Sequence, residues 1–350
     1  MAPLAHESES ESAERPPVRR RLPVRVLRGC VGSAAFLLLF VVSAVLVCRA
    51  AGTDGVTPVP QLLAALPWLA VPAAGGLFAA AALRVRSGAL WAVAVLAVVA
   101  WYARPFAGGY PTPEPPGPVV ARLTVLTSNV EFGQATQGLI DEVMRESARG
   151  HRPDLVFVEE CSLRCSALLD ARLPHALYPY RDVVREDGSK GSAILSLHPL
   201  DVGPRITSTM AMPGALMRIG GRTVRLRLAH PLPPIPGQVG AWRAELGRIA
   251  DDAAAGRDGP PAIVAGDFNA TRDHAAFRDL LTAGGLRDSA LYGGAAHTPS
   301  WPHGVPRPLG AQIDHVLTSR EFAVRDARFI DLSDTDHRAL RVRLDLHEAR

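Results

Sequence analysis

The sequence predicts an α/β (α+β) domain, with β-sheets covered by helices, carried behind an apolar membrane segment. Three observations lead there. From residue 121 onward, short apolar runs alternate with amphipathic stretches: LTVLTSN, LIDEVMRES, DLVFVEE, GSAILS, VRLRLAH, WRAELGRIADDAAA, AIVAGDFN, IDHVLTS and ALRVRLDL. Several of these runs are too hydrophobic to leave one face in water, so the strands they form need cover on both sides. Ahead of them lie three long stretches without a charge. The 350 residues suffice for one large core without disulfide staples.

The elements follow in chain order. Residues 1–28 read as a disordered, basic, cytoplasmic N-terminus: MAPLAHESESESAE is polar and of low complexity, and Arg15, Arg19, Arg20, Arg21, Arg25 and Arg28 follow it. Gly29 to Cys48, Leu62 to Leu83 and Ser87 to Ala103 are expected to form three transmembrane helices, making residues 29–103 a membrane anchor. Each run meets the minimum of about 17 apolar residues for crossing the hydrocarbon layer. A buried core hairpin is the alternative, but three such runs leave too little polar surface for a soluble domain. A cleaved signal peptide fits less well, because no small-x-small site precedes Arg49 and further apolar runs follow.

Charge sets the expected orientation. Residues 1–120 hold ten Arg against six acidic residues, whereas residues 121–350 hold 28 basic and 28 acidic residues. The N-terminal arginines and the Arg84/Arg86 turn lie on one side of the spans, which the positive-inside rule makes cytoplasmic. An odd number of crossings then puts residues 121–350 outside, in a multi-pass protein of the cell membrane whose partner is the lipid bilayer. Residues 104–120, RPFAGGYPTPEPPGPVV, contain six prolines and read as a semi-rigid linker. At about 3.1 Å per residue such a spacer reaches at most roughly 50 Å, which keeps the domain near the membrane.

Within residues 121–350, polar residues recur where apolar runs end. Asn129 closes LTVLTSN, Glu160 closes DLVFVEE, His230 closes VRLRLAH, and Asp267 with Asn269 closes AIVAG. Asp314 interrupts QIDHVL, and Asp336 with His337 precedes the last strand. Strand ends on one edge of a sheet are where a scaffold gathers distant side chains into a site. Carboxylates and amides are hard oxygen ligands suited to Mg²⁺, and a carboxylate-oriented His moves protons. The chemistry to which these types point is metal-assisted phosphate ester hydrolysis. Blander readings exist: Asp267 and Asn269 are common turn formers, Asn129 can simply end a strand, and Asp314 can pair structurally with a purely structural His315.

GDFN, the DLVFVEE strand, GSAILS, IDHVL and the closing DH together resemble the endonuclease/exonuclease/phosphatase family over about residues 121–348. The resemblance implies a four-layer sandwich of two β-sheets flanked by helices, and an Mg²⁺-dependent (or Mn²⁺-dependent) phosphoric ester hydrolase. It also implies roles. Glu160 matches the principal metal ligand, with Asn129 and Asp336 near the metal or the phosphate. Asp267 matches the residue that orients or deprotonates water, and Asn269 the amide beside it that holds phosphate. His337 matches the catalytic histidine, Asp314 the carboxylate that fixes its tautomer, and His230 a second histidine and candidate acid for the leaving group. The strand ends in two acids, Glu159 and Glu160, and register from Asp154 favours Glu160 as the ligand.

A nuclease needs a basic footprint, and the balanced totals of residues 121–350 make nucleic acid an unlikely substrate. They favour a lipid-linked or small phosphate ester instead. The whole-chain layout resembles the teicoplanin-resistance membrane proteins of streptomycetes, which implies antibiotic (glycopeptide) resistance through an envelope phosphate. Two alternatives stay open: an anchored extracellular nuclease, and a non-catalytic module that binds glycopeptide or a wall precursor. Cys161 and Cys165 are expected either to form a local disulfide or to remain packed thiols. Trp301, Pro302 and His303 in the loop HTPSWPHGVPRP have two readings, lining the substrate mouth or, the favoured one, loop packing, and Arg218, Arg222, Arg225 and Arg227 are expected to form a solvated face.

Overall fold

A computed structural model describes residues 24–104, 109–306 and 310–348. Residues 1–23 of the expected disordered terminus and 105–108 of the linker lie outside the described residues. In chain order the N-terminal part comprises α1 (Val24–Ala51), α2 (Val59–Ala64), a 3-10 turn (Leu66–Leu69), α3 (Ala70–Ala82) and α4 (Arg86–Tyr102).

The three-span expectation needs correction. Among the described residues one helix, Arg28–Ala51 with mean hydropathy 2.7, is long and apolar enough to cross a membrane. The second run is broken, because its first residues belong to α2 and the chain then re-forms as a 3-10 turn with Pro67 in its first turn. Proline lacks the N–H for an α-helical bond and disfavours helical geometry in the residue before it, so the break falls at Ala65. The continuous apolar helices after it, Leu66–Ala82 and Arg86–Tyr102, are shorter.

The domain holds two six-stranded mixed sheets. The first contains β1 (Val119–Asn129), β2 (Leu155–Glu159), β3 (Tyr180–Val184), β4 (Ser192–Ser196), β11 (Phe322–Asp331) and β12 (Arg338–His347), in the order β11-β12-β1-β2-β4-β3. The second contains β5 (Leu200–Val202), β6 (Gly214–Ile219), β7 (Arg222–Ala229), β8 (Ala262–Asp267), β9 (Arg287–Asp288) and β10 (Asp314–Thr318), in the order β5-β6-β7-β8-β10-β9. Each sheet has one parallel pair: β1 with β2, joined through α5 (Thr136–Ala148), and β7 with β8, joined through α7 (Val239–Ala255). A parallel pair requires such a crossover.

The period-2 alternation of side chains explains why these strands are apolar on both faces. Val125, Phe157, Ile263 and Val316 point into the core between the sheets. Their neighbours Leu126, Val156 and Val158 pack outward against Leu139 and Val143 of α5 and Leu169 of α6 (Leu163–Arg172). On the far side, Val264 meets Trp242 and Leu246 of α7 and Phe277 and Leu280 of α8 (Ala275–Gly284). The result is four layers, as the sequence resemblance implied. A short α9 (Ser289–Tyr292) follows β9.

Three further expectations change. The described part of the linker is a strap packed on the domain: Tyr110 N donates to Leu291 O at 2.9 Å, Thr112 Oγ1 to Val324 O at 2.8 Å, and Arg325 Nη1 to Glu114 Oε2 at 3.0 Å. The arginines of VRLRLAH are not one solvated face. Arg227 is buried, with Nη2 on Asp252 Oδ1 at 2.8 Å and Nη1 on Pro204 O at 2.7 Å, and Arg225 donates to Asp252 O. Arg218 does stay exposed, beside Asp201. His315 is structural, but its partner is Asp288 (Nδ1–Oδ2 3.1 Å) and not Asp314.

The buried His315–Asp288 pair yields a prediction. Burial disfavours both charges, yet their mutual attraction lowers the Asp288 pKa and raises that of His315. A raised His contributes fully below its unfolded pKa of about 6.5 and loses that contribution as pH rises through the folded value. A lowered Asp contributes fully above about 3.9 and loses it as pH falls through the folded value. Asp288→Asn keeps the cap that Asp288 Oδ1 provides to Ala290 N but strands the imidazole. We expect a loss of about 3–5 kcal/mol. The gap to wild type in thermal melts should be widest between about pH 4 and 6.5, narrowing on both sides.

Candidate active site

The sheet topology brings the predicted residues to one edge. Asn129 ends β1, Glu160 follows β2, His230 follows β7 and Asp267 ends β8, so four side chains stand at the C-terminal ends of the two parallel pairs. β10 runs antiparallel to β8 with Asp314 directly opposite Asp267. β12 runs antiparallel to β1 and begins just after His337.

All eight predicted residues are brought together there. Asn129 Nδ2 lies 3.1 Å from Glu160 Oε1 and 3.2 Å from Asp267 Oδ2. His230 Nε2 is 3.8 Å from Glu160 Oε1 and 3.9 Å from Asp267 Oδ2. His337 Nε2 is 3.8 Å from Asp267 Oδ2 and 3.7 Å from Asp336 Oδ1, while its Nδ1 meets Asp314 Oδ2 at 2.9 Å. Asn269 N donates to Asp267 Oδ1 at 2.8 Å, and one N–H of its side-chain amide is taken by Pro231 O at 3.0 Å.

The backbone is specialised to hold this set. Glu131, Phe132, Glu160, Asn269 and Asp334 all have positive φ, a conformation that costs non-glycine residues of order 1–3 kcal/mol and clusters at functional sites. In GDFN, Gly266 has φ +146°, and a Cβ there would strike Ala229 O on the neighbouring strand. Phe132 N donates to Glu160 Oε2 at 3.0 Å, which fixes that carboxylate. Cys161 and Cys165 form a disulfide immediately after Glu160, and Ser162 caps α6 by accepting from Cys165 N.

Sequence reasoning missed two contributors, Thr335 and Glu131. Thr335 Oγ1 donates to Asn129 O and accepts from His337 N, tying the last loop to β1. Glu131 Oε2 accepts from Asp336 N at 2.9 Å. Trp301, for which packing is the favoured reading of the sequence and the mouth the other, donates from Nε1 to Asp336 Oδ2 at 2.7 Å and stays 41% exposed at the mouth. The proline-rich composition around Trp301 gave no hint of that contact. Glu159 faces inward, bound by Thr127 Oγ1 at 2.9 Å, and burial followed by the neighbouring Asp314 pushes its carboxyl well up. The register choice of Glu160 over Glu159 as the site carboxylate is therefore supported.

Electrostatics separates the groups. Burial pushes Asp267 up to about 7, with the charge of His337 opposing and Asp314 reinforcing. Burial would lower His337, but Asp314 and Asp267 outweigh it and raise the imidazole to about 10. His230, buried and facing the charge of His337, falls to about 3 and is neutral. The acid role expected of His230 needs an imidazolium, and burial opposes it.

The donor set fits a divalent cation. Among the described residues no Lys or Arg pairs with Glu160, Asp267, Asp314 or Asp336, and the ion-pair partners within 4.0 Å are His230 and His337. A concentration of carboxylates with so little positive charge, supplemented by an amide, is the oxygen-rich environment that hard cations take. Ligating atoms of Asp267, Asp314 and His337 also lie within 4.8 Å of one another. Since Asp314 and His337 already bond each other, that trio reads better as a proton-handling group than as a ligand set.

The sequence profile of the Endonuclease/Exonuclease/phosphatase family matches residues 126–337, and the chain belongs to that family. Its members act as hydrolases on phosphoester bonds. No curated protein is significantly similar in sequence. Among solved structures, D. rerio TDP2 complexed with a single-strand DNA product is 17% identical, with TM-score 0.52, covering 64% of this chain and 99% of that one. A conserved protein of unknown function from Enterococcus faecalis V583 is 14% identical with TM-score 0.51, covering 64% and 100%. The human Nocturnin catalytic domain with a bound sulfate anion is 14% identical with TM-score 0.50, covering 66% and 96%. At these identities the likeness establishes the fold.

Proposed function

We propose that this protein is a membrane-anchored, divalent-metal-dependent phosphatase or phosphodiesterase acting on an envelope phosphate outside the cytoplasm. The observation that carries the reading is the convergence of Asn129, Glu160, His230, Asp267 and His337, each with a polar atom within 4 Å of at least one other of the set. Glu160, with Asn129 and Asp336, would hold Mg²⁺ or Mn²⁺. Such an ion supplies charge neutralisation to a phosphoryl group. Asp267, poised near neutrality, accepts a proton from the attacking water. The free N–H of the Asn269 amide and the neutral imidazole of His230 donate to phosphate oxygens. His337 is charged at neutral pH and its ring is held in one orientation by Asp314, so its Nε2–H stabilises developing charge or protonates the leaving oxygen.

Two features support the location. Only 22% of the apolar window in α1 is buried, whereas a soluble core helix would be covered. Phe36, Leu37, Phe40, Val47, Phe78 and Leu90 all point outward, as lipid-facing side chains do. With α1 as the one crossing, cytoplasmic arginines ahead of it leave the domain outside. The Cys161–Cys165 disulfide agrees with an oxidising compartment. The physiological role we assign, from the whole-chain layout, is glycopeptide (teicoplanin) resistance.

Teicoplanin and vancomycin susceptibility of a sensitive host expressing wild type, Asp267→Ala or His337→Ala tests this. Both variants should lose resistance at unchanged membrane abundance. Resistance kept by both would favour the binding-module alternative, and Mg²⁺-dependent plasmid nicking by the purified protein would favour the nuclease.

A further inference from the structure

The membrane anchor is bolted onto the rim of the active site. Asp54, fully buried beyond the end of α1, accepts from Ala276 N in the first turn of α8 at 2.9 Å and forms an ion pair with Arg243, Oδ1 to Nε 3.2 Å. Arg49 Nε meets Asp273 Oδ1 at 2.9 Å, and the fully buried His274 places Nε2 2.8 Å from Pro60 O. Gln61 donates to Pro234 O, and His297 Nε2 lies 3.3 Å from Arg104 O. The domain loops in these contacts are those that frame the site: 231–238 continues from His230, 271–274 from Asn269, and 297–303 carries Trp301.

The anchor also marks where a bilayer surface would lie. Trp101 and Tyr102 end α4 on the side nearest the domain, with the Arg104 guanidinium 3.6 Å from the Trp101 ring and that of Arg49 4.7 Å from the Tyr102 ring. Aromatic rings with snorkelling arginines are the mark of the headgroup layer. Around the mouth, three large apolar side chains are exposed where solubility alone would disfavour them. They are Phe132 (54%), whose backbone holds Glu160; Ile235 (47%), next to the Gln61 contact; and Trp301 (41%), bound to Asp336.

We infer that this apolar rim is a lipid-contacting surface, and that it receives the hydrocarbon chain of a phosphate ester whose tail stays in the outer leaflet while its phosphate enters the carboxylate cluster. The inference rests on the hydrolase reading above and deepens it by naming the substrate class. The docked loops hold the mouth at the level of the headgroups, so the substrate needs no extraction into water, and desolvating the rim against the chain adds affinity that a soluble ester cannot collect.

The test compares two esters with the same scissile bond: methyl p-nitrophenyl phosphate in solution, and hexadecyl p-nitrophenyl phosphate in phosphatidylcholine vesicles containing the full-length protein with Mg²⁺ or Mn²⁺. Ile235→Asn alters an exposed side chain outside the polar cluster. The Ile235→Asn variant should hydrolyse the methyl ester within about twofold of wild type. It should lose at least about tenfold in kcat/KM on the hexadecyl ester, through KM, the equivalent of about 1.4 kcal/mol. Equal change on both esters, or change on neither, overturns the rim assignment. Failure of wild type on both esters would instead overturn the hydrolase reading.

Discussion

Full-length protein carrying Glu160→Gln should retain its fold and lose hydrolysis of a p-nitrophenyl phosphodiester by about three decades or more. A cation at a phosphoryl site supplies several kcal/mol of transition-state stabilisation, and each 1.36 kcal/mol is a factor of ten in rate. The amide keeps the shape of the side chain and can still accept from Phe132 N, so the loop at Glu160 stays in place. What it removes is one of the negative charges that make the cluster attractive to a cation. Thermal melts separate this effect from misfolding: without added metal the variant should melt at or above the wild-type temperature, because like charges are relieved. The upward shift that saturating Mg²⁺ or Mn²⁺ gives wild type should be lost. A Glu160→Gln protein that keeps both its rate and its metal-induced shift would move the cation elsewhere, with the Asp267–Asp314–His337 group next to be tested.

The second large effect is expected at the His337–Asp314 pair. His337→Ala should lower kcat about 10²–10⁴-fold, the range for loss of a positioned proton-transfer group. Asp314→Asn is the more informative change. In wild type, Asp314 and Asp267 hold His337 protonated up to about pH 10 against the effect of burial. Replacing Asp314 removes the largest raising influence and leaves burial opposed only by Asp267 and Asp336, so the imidazole pKa falls. The alkaline limb of the pH–rate profile should therefore move toward lower pH, with KM changed much less than kcat. An unshifted alkaline limb in a folded Asp314→Asn protein would show that His337 does not carry the proton that limits the rate.

Much of the site was legible because its residues end or begin apolar runs, and a sheet edge is where such ends meet. GDFN illustrates this: the glycine is required by the close approach of β7, the aspartate by the chemistry and the asparagine by a positive φ. Less legible were contacts between segments far apart in the chain. Neither the docking of Asp54 on α8 nor the bond from Thr335 to Asn129 leaves any local periodicity, because each joins residues more than 200 positions apart. Arg227 misled for the opposite reason, since alternating arginines on a strand look like a wet face until Asp252 of α7 is seen to cover them. Hydropathy likewise counted apolar residues between 62 and 83 without registering that Pro67 interrupts the helix. The linker's prolines said nothing of the surface that holds its described part.

Anomalous diffraction from crystals of the folded domain soaked in Mn²⁺ tests the central assignment most directly. The account predicts a peak in coordination contact with the Glu160 carboxylate, beside Asn129 and facing Asp267 and His337. Mn²⁺ bound only at sites remote from Glu160, with the carboxylate cluster left empty at saturating metal, would contradict it.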